Sequence, residues 1–247
     1  MRQLRHLVIL GISTYLLVLL ITFPASVALR WFAPDDFAYI SVSGSAWSGD
    51  VSSASIAGVP LGRVQWTAHP LSLFTASIDV TASIQRSQSQ FLDVRISLEP
   101  GGTTRLTNLR GVLALSTLGN IVPAAGYNGD VTLNLDELVL VDGWPVDAKG
   151  TLGLGNLTVI APIYSPLGTY EVIFRGAEGG ALNGLFTSID GPLDAEGTVT
   201  LKPDRSFEVM GVAGAQESAS ADLKRMVQFM GPQQADGRHE FAFSGSI

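Results

Sequence analysis

From about residue 37 onward, apolar and polar residues alternate with a period of two, and this pattern dictates β-sheet. The clearest run is Phe74, Ala76, Ile78, Val80, Ala82 and Ile84, with Thr75, Ser77, Asp79, Thr81 and Ser83 between them. Successive side chains of a strand point to opposite faces, so this run is a half-buried antiparallel strand. At about 3.4 Å per residue it extends roughly 37 Å. The alternation returns at Leu92, Val94, Ile96 and Leu98, at Val131, Leu133 and Leu135, and at Val146, Ala148, Gly150, Leu152 and Leu154. It recurs at Tyr170, Val172 and Phe174, at Leu193, Ala195, Val199 and Leu201, at Phe207 and Val209, and in a last short strand at Phe241 and Phe243.

Turn signals separate these runs: Ser48-Gly49-Asp50, Glu99-Pro100-Gly101-Gly102, Asp142-Gly143, Asp190-Gly191-Pro192 and Lys202-Pro203-Asp204. The 27 glycines read mostly as such punctuation. Helical signals are sparse. Leu223, Met226, Val227 and Met230 follow the helical spacing, with Ser220 as cap and Gly231-Pro232 as stop, which predicts an amphipathic helix of about three turns. A shorter helical turn fits residues 115–121, ended by Pro123. One short helix cannot cover about ten one-faced strands, so the sheet must curl on itself into a sandwich, a barrel or an open U-shaped groove. An incompletely closed groove leaves apolar surface of the kind that marks a lipid or partner site.

The N-terminus reads differently. Arg2, Arg5 and His6 precede residues 7–29, which carry no charge, and Arg30 ends the run. As one helix these 23 residues would reach about 35 Å, enough for a hydrocarbon core of about 30 Å. Ser13, Thr14 and Thr22 are tolerable there because a helical hydroxyl bonds its own backbone. Trp31 and Phe32 stand where an interfacial aromatic belt is expected, and Pro24 would kink or end the helix. The favoured reading is a signal anchor, because the run exceeds the 7–15 residues usual for a signal-peptide core. The alternative is a signal peptide cleaved at Ser26-Val27-Ala28. The basic end stays cytoplasmic, which exports everything after Arg30. This divides the chain into residues 1–30, a cytoplasmic end and transmembrane anchor, and residues 31–247, one periplasmic β domain.

Composition narrows the function. Hydrophobic residues make up 46% and charged residues 15%, against a norm of about 25% charged, which excludes intrinsic disorder. The formal net charge is −7. The first thirty residues hold three of the fifteen basic residues and none of the acidic ones, so the remainder carries 12 against 22, a net −10. That excludes a sequence-independent nucleic-acid binder and repels anionic lipid headgroups. Without cysteine there is no disulfide, thiolate metal site or thiol catalysis, and an exported chain of this kind fits a bacterial periplasm.

No catalytic motif is present: neither G-x-S-x-G, nor Walker A, nor H-E-x-x-H occurs. Gly153-Leu154-Gly155-Asn156-Leu157-Thr158 is a glycine-rich strand or turn rather than a dinucleotide loop. His69 and His239 have no neighbours at metal spacing. Asp35-Asp36 and Asp136-Glu137 read as solvated loop, since sequence neighbours on a strand face opposite ways and make no acid–base couple. The expectation is a chain that is not an enzyme, with no cofactor, no metal and no catalytic residue. Trp47, Trp66 and Trp144 are the candidate groove or partner contacts, because an indole buries a large area while its N–H finds a partner at an edge.

Several segments in order resemble the type II secretion system protein N family. They are the basic cap and apolar run, then Gly44-Ser45-Ala46-Trp47-Ser48-Gly49 as a G-x-x-W-x-G element, then residues 61–70 from Leu61 through Trp66 to Pro70, leading into Leu73-Phe74. Residues 129–135, residues 145–150 and Leu167-Gly168-Thr169-Tyr170 follow, and the end matches at residues 223–232, Asp236-Gly237-Arg238 and Gly245. The polar stretch 85–90 departs from the pattern and reads as a variable hairpin tip. The resemblance implies a bitopic inner-membrane protein with a periplasmic β domain, an accessory part of the machinery that moves folded proteins across the outer membrane. It also implies other secretion components as partners and carries over no catalytic residue. The curled sheets of the AsmA and TamB lipid-handling proteins are similar at the level of fold, which keeps a lipid-binding or lipid-transfer module as the alternative.

Overall fold

A computed structural model describes residues 2–33, 35–56, 58–70, 77–118, 126–160 and 164–246. Two compact units divide the chain, residues 1–87 and 88–247, and each is built on antiparallel strands.

In the first unit, helix α1 covers Arg2–Ile21 and a separate helix α2 covers Ala25–Phe32. The continuous helix expected over residues 7–29 is therefore broken, and the cause is Pro24. Proline has no N–H for the carbonyl of residue i−4, and its ring clashes with that carbonyl. Thr22 N still donates to Val18 O at 2.9 Å, Phe23 N reaches Leu20 O only at 3.4 Å, and Pro24 then forms a β-bridge with Ser45. The hydroxyls of Thr14 and Thr22 bond back onto Leu10 O at 2.9 Å and Val18 O at 2.7 Å, as the sequence requires of hydroxyls in an apolar helix. Among the described residues no helix is long and apolar enough to cross a membrane. In α1 the side chains at positions 2–5, 7–9, 16 and 17 lie outside the description.

Five strands complete this unit: β1 (Phe37–Ala38), β2 (Ser41–Gly44), β3 (Ser48–Ile56), β4 (Val59–His69) and β5 (Ile78–Gln85). Their order is β1-β3-β4-β5, with β2 on the same side of β3 as β1. Only part of the long alternating run is β5, since positions 74–76 lie outside the described residues. Ser48-Gly49-Asp50, expected as a turn, instead opens β3, and the reversal falls one step earlier at residues 45–47.

The second unit is an antiparallel meander. It contains β6 (Phe91–Glu99), β7 (Thr103–Ala114), β8 (Tyr127–Val141), β9 (Trp144–Val159), β10 (Ser165–Glu178), β11 (Ala181–Asp190), β12 (Leu193–Leu201), β13 (Ser206–Ala215) and β14 (His239–Ser246). These strands pair strictly in sequence order. Asp142 and Gly143 both take positive φ, 50° and 76°, which makes the β8–β9 connection the primed turn that suits strand twist. A 3-10 helix at Leu115–Leu118 matches the first half of the expected helical turn, and residues 119–121 lie outside the described ones.

Helix α3 (Ala221–Gln228) is the predicted amphipathic helix, eight residues long and so shorter than expected. The Ser220 hydroxyl accepts from Leu223 N at 3.2 Å, the expected N-cap. Leu223 and Val227 are buried against Leu167, Tyr170, Leu193, Ala195 and Ala213, which makes this the largest core of the unit. Met226, on the flank of that stripe, is exposed.

More than half of the glycines lie inside strands rather than in turns. Their use is clearest at Gly197 of β12 and Gly211 of β13, which pair with each other. Phe186 pairs with Gly197 from one side and Phe241 with Gly211 from the other. A Cβ on Gly197 would stand 2.8 Å from the Phe186 ring, and one on Gly211 would stand 3.0 Å from the Phe241 ring. The two rings lie over the glycines and meet with centroids 6.1 Å apart. The apolar face thus gains ring area where its strands have no side chains, as when an aromatic shields a strand glycine.

Candidate functional site

The G-x-x-W-x-G element forms a tight loop between β2 and β3. Gly44 has φ +92°, and a Cβ there would collide with Ser48 O and stand 2.7 Å from Gly49 Cα, so the turn closes only on glycine. The Ser45 hydroxyl accepts from Trp47 N at 3.3 Å and Ser48 N at 3.2 Å and holds the loop. Trp47 then projects toward α1, where its indole Nε1 donates to Leu20 O at 2.7 Å. Ala46 N donates to Phe23 O at 2.8 Å beside it. Trp66 of β4 fits the same loop from the other side. Its Nε1 donates to Ala46 O at 3.1 Å, and its ring lies over Gly49, where a Cβ would stand 2.6 Å from it. Trp47 and Trp66 are therefore brought together on one loop that joins the sheet to the end of α1. Both are partly buried.

Trp144 belongs to the second unit and does other work. Its Nε1 donates to Lys202 O at 2.9 Å, and Arg205 Nη2 donates to Asp142 O at 3.0 Å. The β8–β9 turn is thereby bonded to the β12–β13 turn, although β10 and β11 intervene. In a flat sheet strands three spacings apart are separated by roughly 14 Å. These bonds require the sheet of this unit to curl at that end, as the excess of one-faced strands over covering helices demands. Within that span the register is irregular between Leu135 and Glu137 and between Phe174 and Ala177, and such bulges bend a strand and increase its twist.

At the other end of this unit lies an apolar concavity. Tyr170 is buried, and its single hydroxyl proton is shared between Leu167 O at 3.0 Å and Leu193 O at 2.9 Å. Burial, reinforced by the charge of Asp194, pushes this phenol well above the ordinary tyrosine range. Beside it is an apolar pocket of about 280 Å³, lined among others by Leu154, Leu157, Phe186, Val209, Met230 and Phe243. The composition of the strands gave the apolar face. Tyr170 itself stands in the alternating pattern, and nothing local to it reveals that its hydroxyl ties the start of β10 to the start of β12.

Charged groups sit on the opposite face. Glu99, Arg105, Glu137 and Lys149 form a ladder across β6 to β9: Arg105 bonds Glu99 at 3.2 Å and also Glu137, and Lys149 bonds Glu137 at 3.3 Å. Ala148, next to Lys149, is buried, so the period of two puts the ladder on the face away from the core. Hydrogen bonds from Lys149 and then Arg105 hold Glu137 below the usual carboxylate range. Asp136 pairs with Arg110 at 2.5 Å. The Asp136-Glu137 pair therefore lies inside β8 rather than in the solvated loop expected of it, because cations on both neighbouring strands neutralise it. In the first unit, the Ser43 hydroxyl and then Arg63 lower Asp50 in the same way. Asp35 and Asp36 are in an exposed turn, as expected. His239 lies in β14 with Nδ1 2.9 Å from Gly231 O. The segment 153–158 is part of β9, with no helix after it. No cluster of three or more metal-ligating side chains occurs among the described residues.

The architecture is that of an antiparallel β-sheet protein whose strands run in a meander with one apolar and one charged face. Residues 38–242 match the profile of the type II secretion system (T2SS) protein N, and the chain belongs to that family. Membership makes it an accessory component of type II secretion and implies interaction with other components of that system. No curated protein and no solved structure matches the chain.

Proposed function

We propose that the chain is a non-enzymatic accessory component of type II secretion, anchored in the bacterial inner membrane by its N-terminal helix, with the β domain in the periplasm. The family match over residues 38–242 carries this reading. The anchoring part is supported by the uncharged run 7–29 and by the exposed side chains of Leu10, Ile12, Val18, Leu19, Leu20 and Ile21, which no protein surface covers among the described residues. Because α1 ends at Ile21, the exit from the bilayer falls there and not near Arg30. Trp47 and Trp66 on the first unit, and Trp144 separately on the second, each shape a surface for other secretion components, since each ring stays partly exposed while its N–H fixes a backbone carbonyl. The test is photo-crosslinking in intact secreting cells from positions on the β domain. Capture of an identified secretion component is the expected result, and a domain that captures none overturns the reading.

A second reading, a lipid-binding or lipid-transfer module, is favoured by the pocket of about 280 Å³ with its wholly apolar lining. Mass spectrometry of the purified protein distinguishes the two, because this reading requires phospholipid that co-purifies and is lost when Leu157 or Val209 is replaced by a charged residue.

A further inference from the structure

We infer that the first unit lies directly on the bilayer, with Trp31 seated in the headgroup region of a zwitterionic lipid surface. This rests on the proposal that α1 is a membrane anchor. The argument is one of reach. Only Thr22 and Phe23 separate the last residue of α1 from the Pro24–Ser45 bridge. Leu20 O and Phe23 O, at the end of the helix, are bonded to Trp47 Nε1 at 2.7 Å and Ala46 N at 2.8 Å. The sheet therefore begins within the last turn of α1, and no spacer holds it away from the membrane.

The side chains at that level suit an interface. Helix α2 turns Ala25 fully inward, and Ser26, Arg30 and Trp31 face outward. Trp31 is 69% exposed, and its ring lies 5.5 Å from the ring of Phe23, which fixes it beside the exit of α1. Ile21, at the end of α1, is 60% exposed. In water these groups would stand uncovered. In the headgroup layer an indole has both an apolar contact and a wet edge, and arginine keeps its charge in water above it. Arg30 is balanced by Asp35 and Asp36 close behind in sequence, which favours zwitterionic over anionic lipid.

The test uses the full chain reconstituted in phosphatidylcholine vesicles with and without brominated acyl chains. Brominated lipid quenches the wild-type fluorescence, and Trp31→Phe removes at least half of that quenching. The chain contains no cysteine, so Trp31→Cys and Ser26→Cys each provide a single site for a polarity-sensitive dye, and both dyes should shift to the blue on reconstitution. If the chain resists carbonate extraction but Trp31→Phe quenches like wild type and the dyes report water, surface contact is refuted while the anchor stands. If carbonate releases the chain, the anchor fails and the inference with it. Shielding of position 31 in cells but not in pure lipid vesicles assigns the surface to a protein partner and overturns the lipid assignment.

Discussion

The indole N–H of Trp47 donates to the carbonyl oxygen of Leu20 at 2.7 Å, and Leu20 is the residue whose usual helical donor would be the N–H of Pro24. Proline removes that donor, and a tryptophan from another part of the sheet replaces it. Trp47→Phe keeps the ring and deletes the hydrogen bond. It should cost about 1 kcal/mol and speed amide exchange at residues 21–23 and 45–48. Exchange measured by mass spectrometry checks this, and unchanged protection at both segments would refute the capping role.

The Gly197–Gly211 pair makes a second prediction. Gly197→Ala places a methyl group against the Phe186 ring and the backbone of β13, and should destabilise by about 1–3 kcal/mol in urea unfolding. Adding Phe186→Leu should recover only a minor part of that loss, because Met210 O and Gly211 Cα of β13 stand nearer to the new methyl than the ring does. A loss unaffected by shortening Phe186 would place the strain in the backbone alone.

Tyr170→Phe leaves the Leu167 and Leu193 carbonyls without their shared donor and should cost about 1–3 kcal/mol. The phenol also predicts a pH effect. Its pKa is raised on folding, so its contribution is complete below the ordinary tyrosine value of about 10 and is lost as pH climbs from there through the folded value. Wild-type stability should therefore fall more steeply than that of Tyr170→Phe in unfolding curves taken above pH 10.

Glu137 has the opposite sign. Its pKa is lowered on folding, so its contribution is complete above the ordinary glutamate value of about 4.3 and fades as pH drops through the depressed folded value. Glu137→Gln should flatten the acid limb of the stability profile below about pH 4. At neutral pH the loss should stay under about 1 kcal/mol, since Arg105 and Lys149 are substantially exposed and screened by solvent.

Much of this fold is written locally. The period of two marks seven of the nine strands of the second unit and passes over β7 and β11, Asp142-Gly143 marks the β8–β9 turn, and Ser220 with the Leu223–Val227 spacing marks α3. What could not be read depends on partners distant in sequence. Ser48-Gly49-Asp50 has the composition of a turn, and it becomes a strand through pairing with β2 and β4, with the Trp66 ring above Gly49. Asp136-Glu137 looks solvated until β7 and β9 bring Arg110, Arg105 and Lys149 alongside. Trp144 stands out by its size, but its acceptor on Lys202 is 58 positions away and is reached only after the intervening irregularities have bent the sheet. The helix break is legible at Pro24, although the uncharged run continues across it to Leu29.

The short passage from α1 through Thr22 and Phe23 has a mechanical outcome. A long, glycine-rich joint would let the helix spin or lean while the strands beyond it stayed still. Here an indole bond, a backbone bond and a bridge rivet them together, so any roll or tilt imposed on α1 turns the β2–β3 hairpin as a shaft turns its crank.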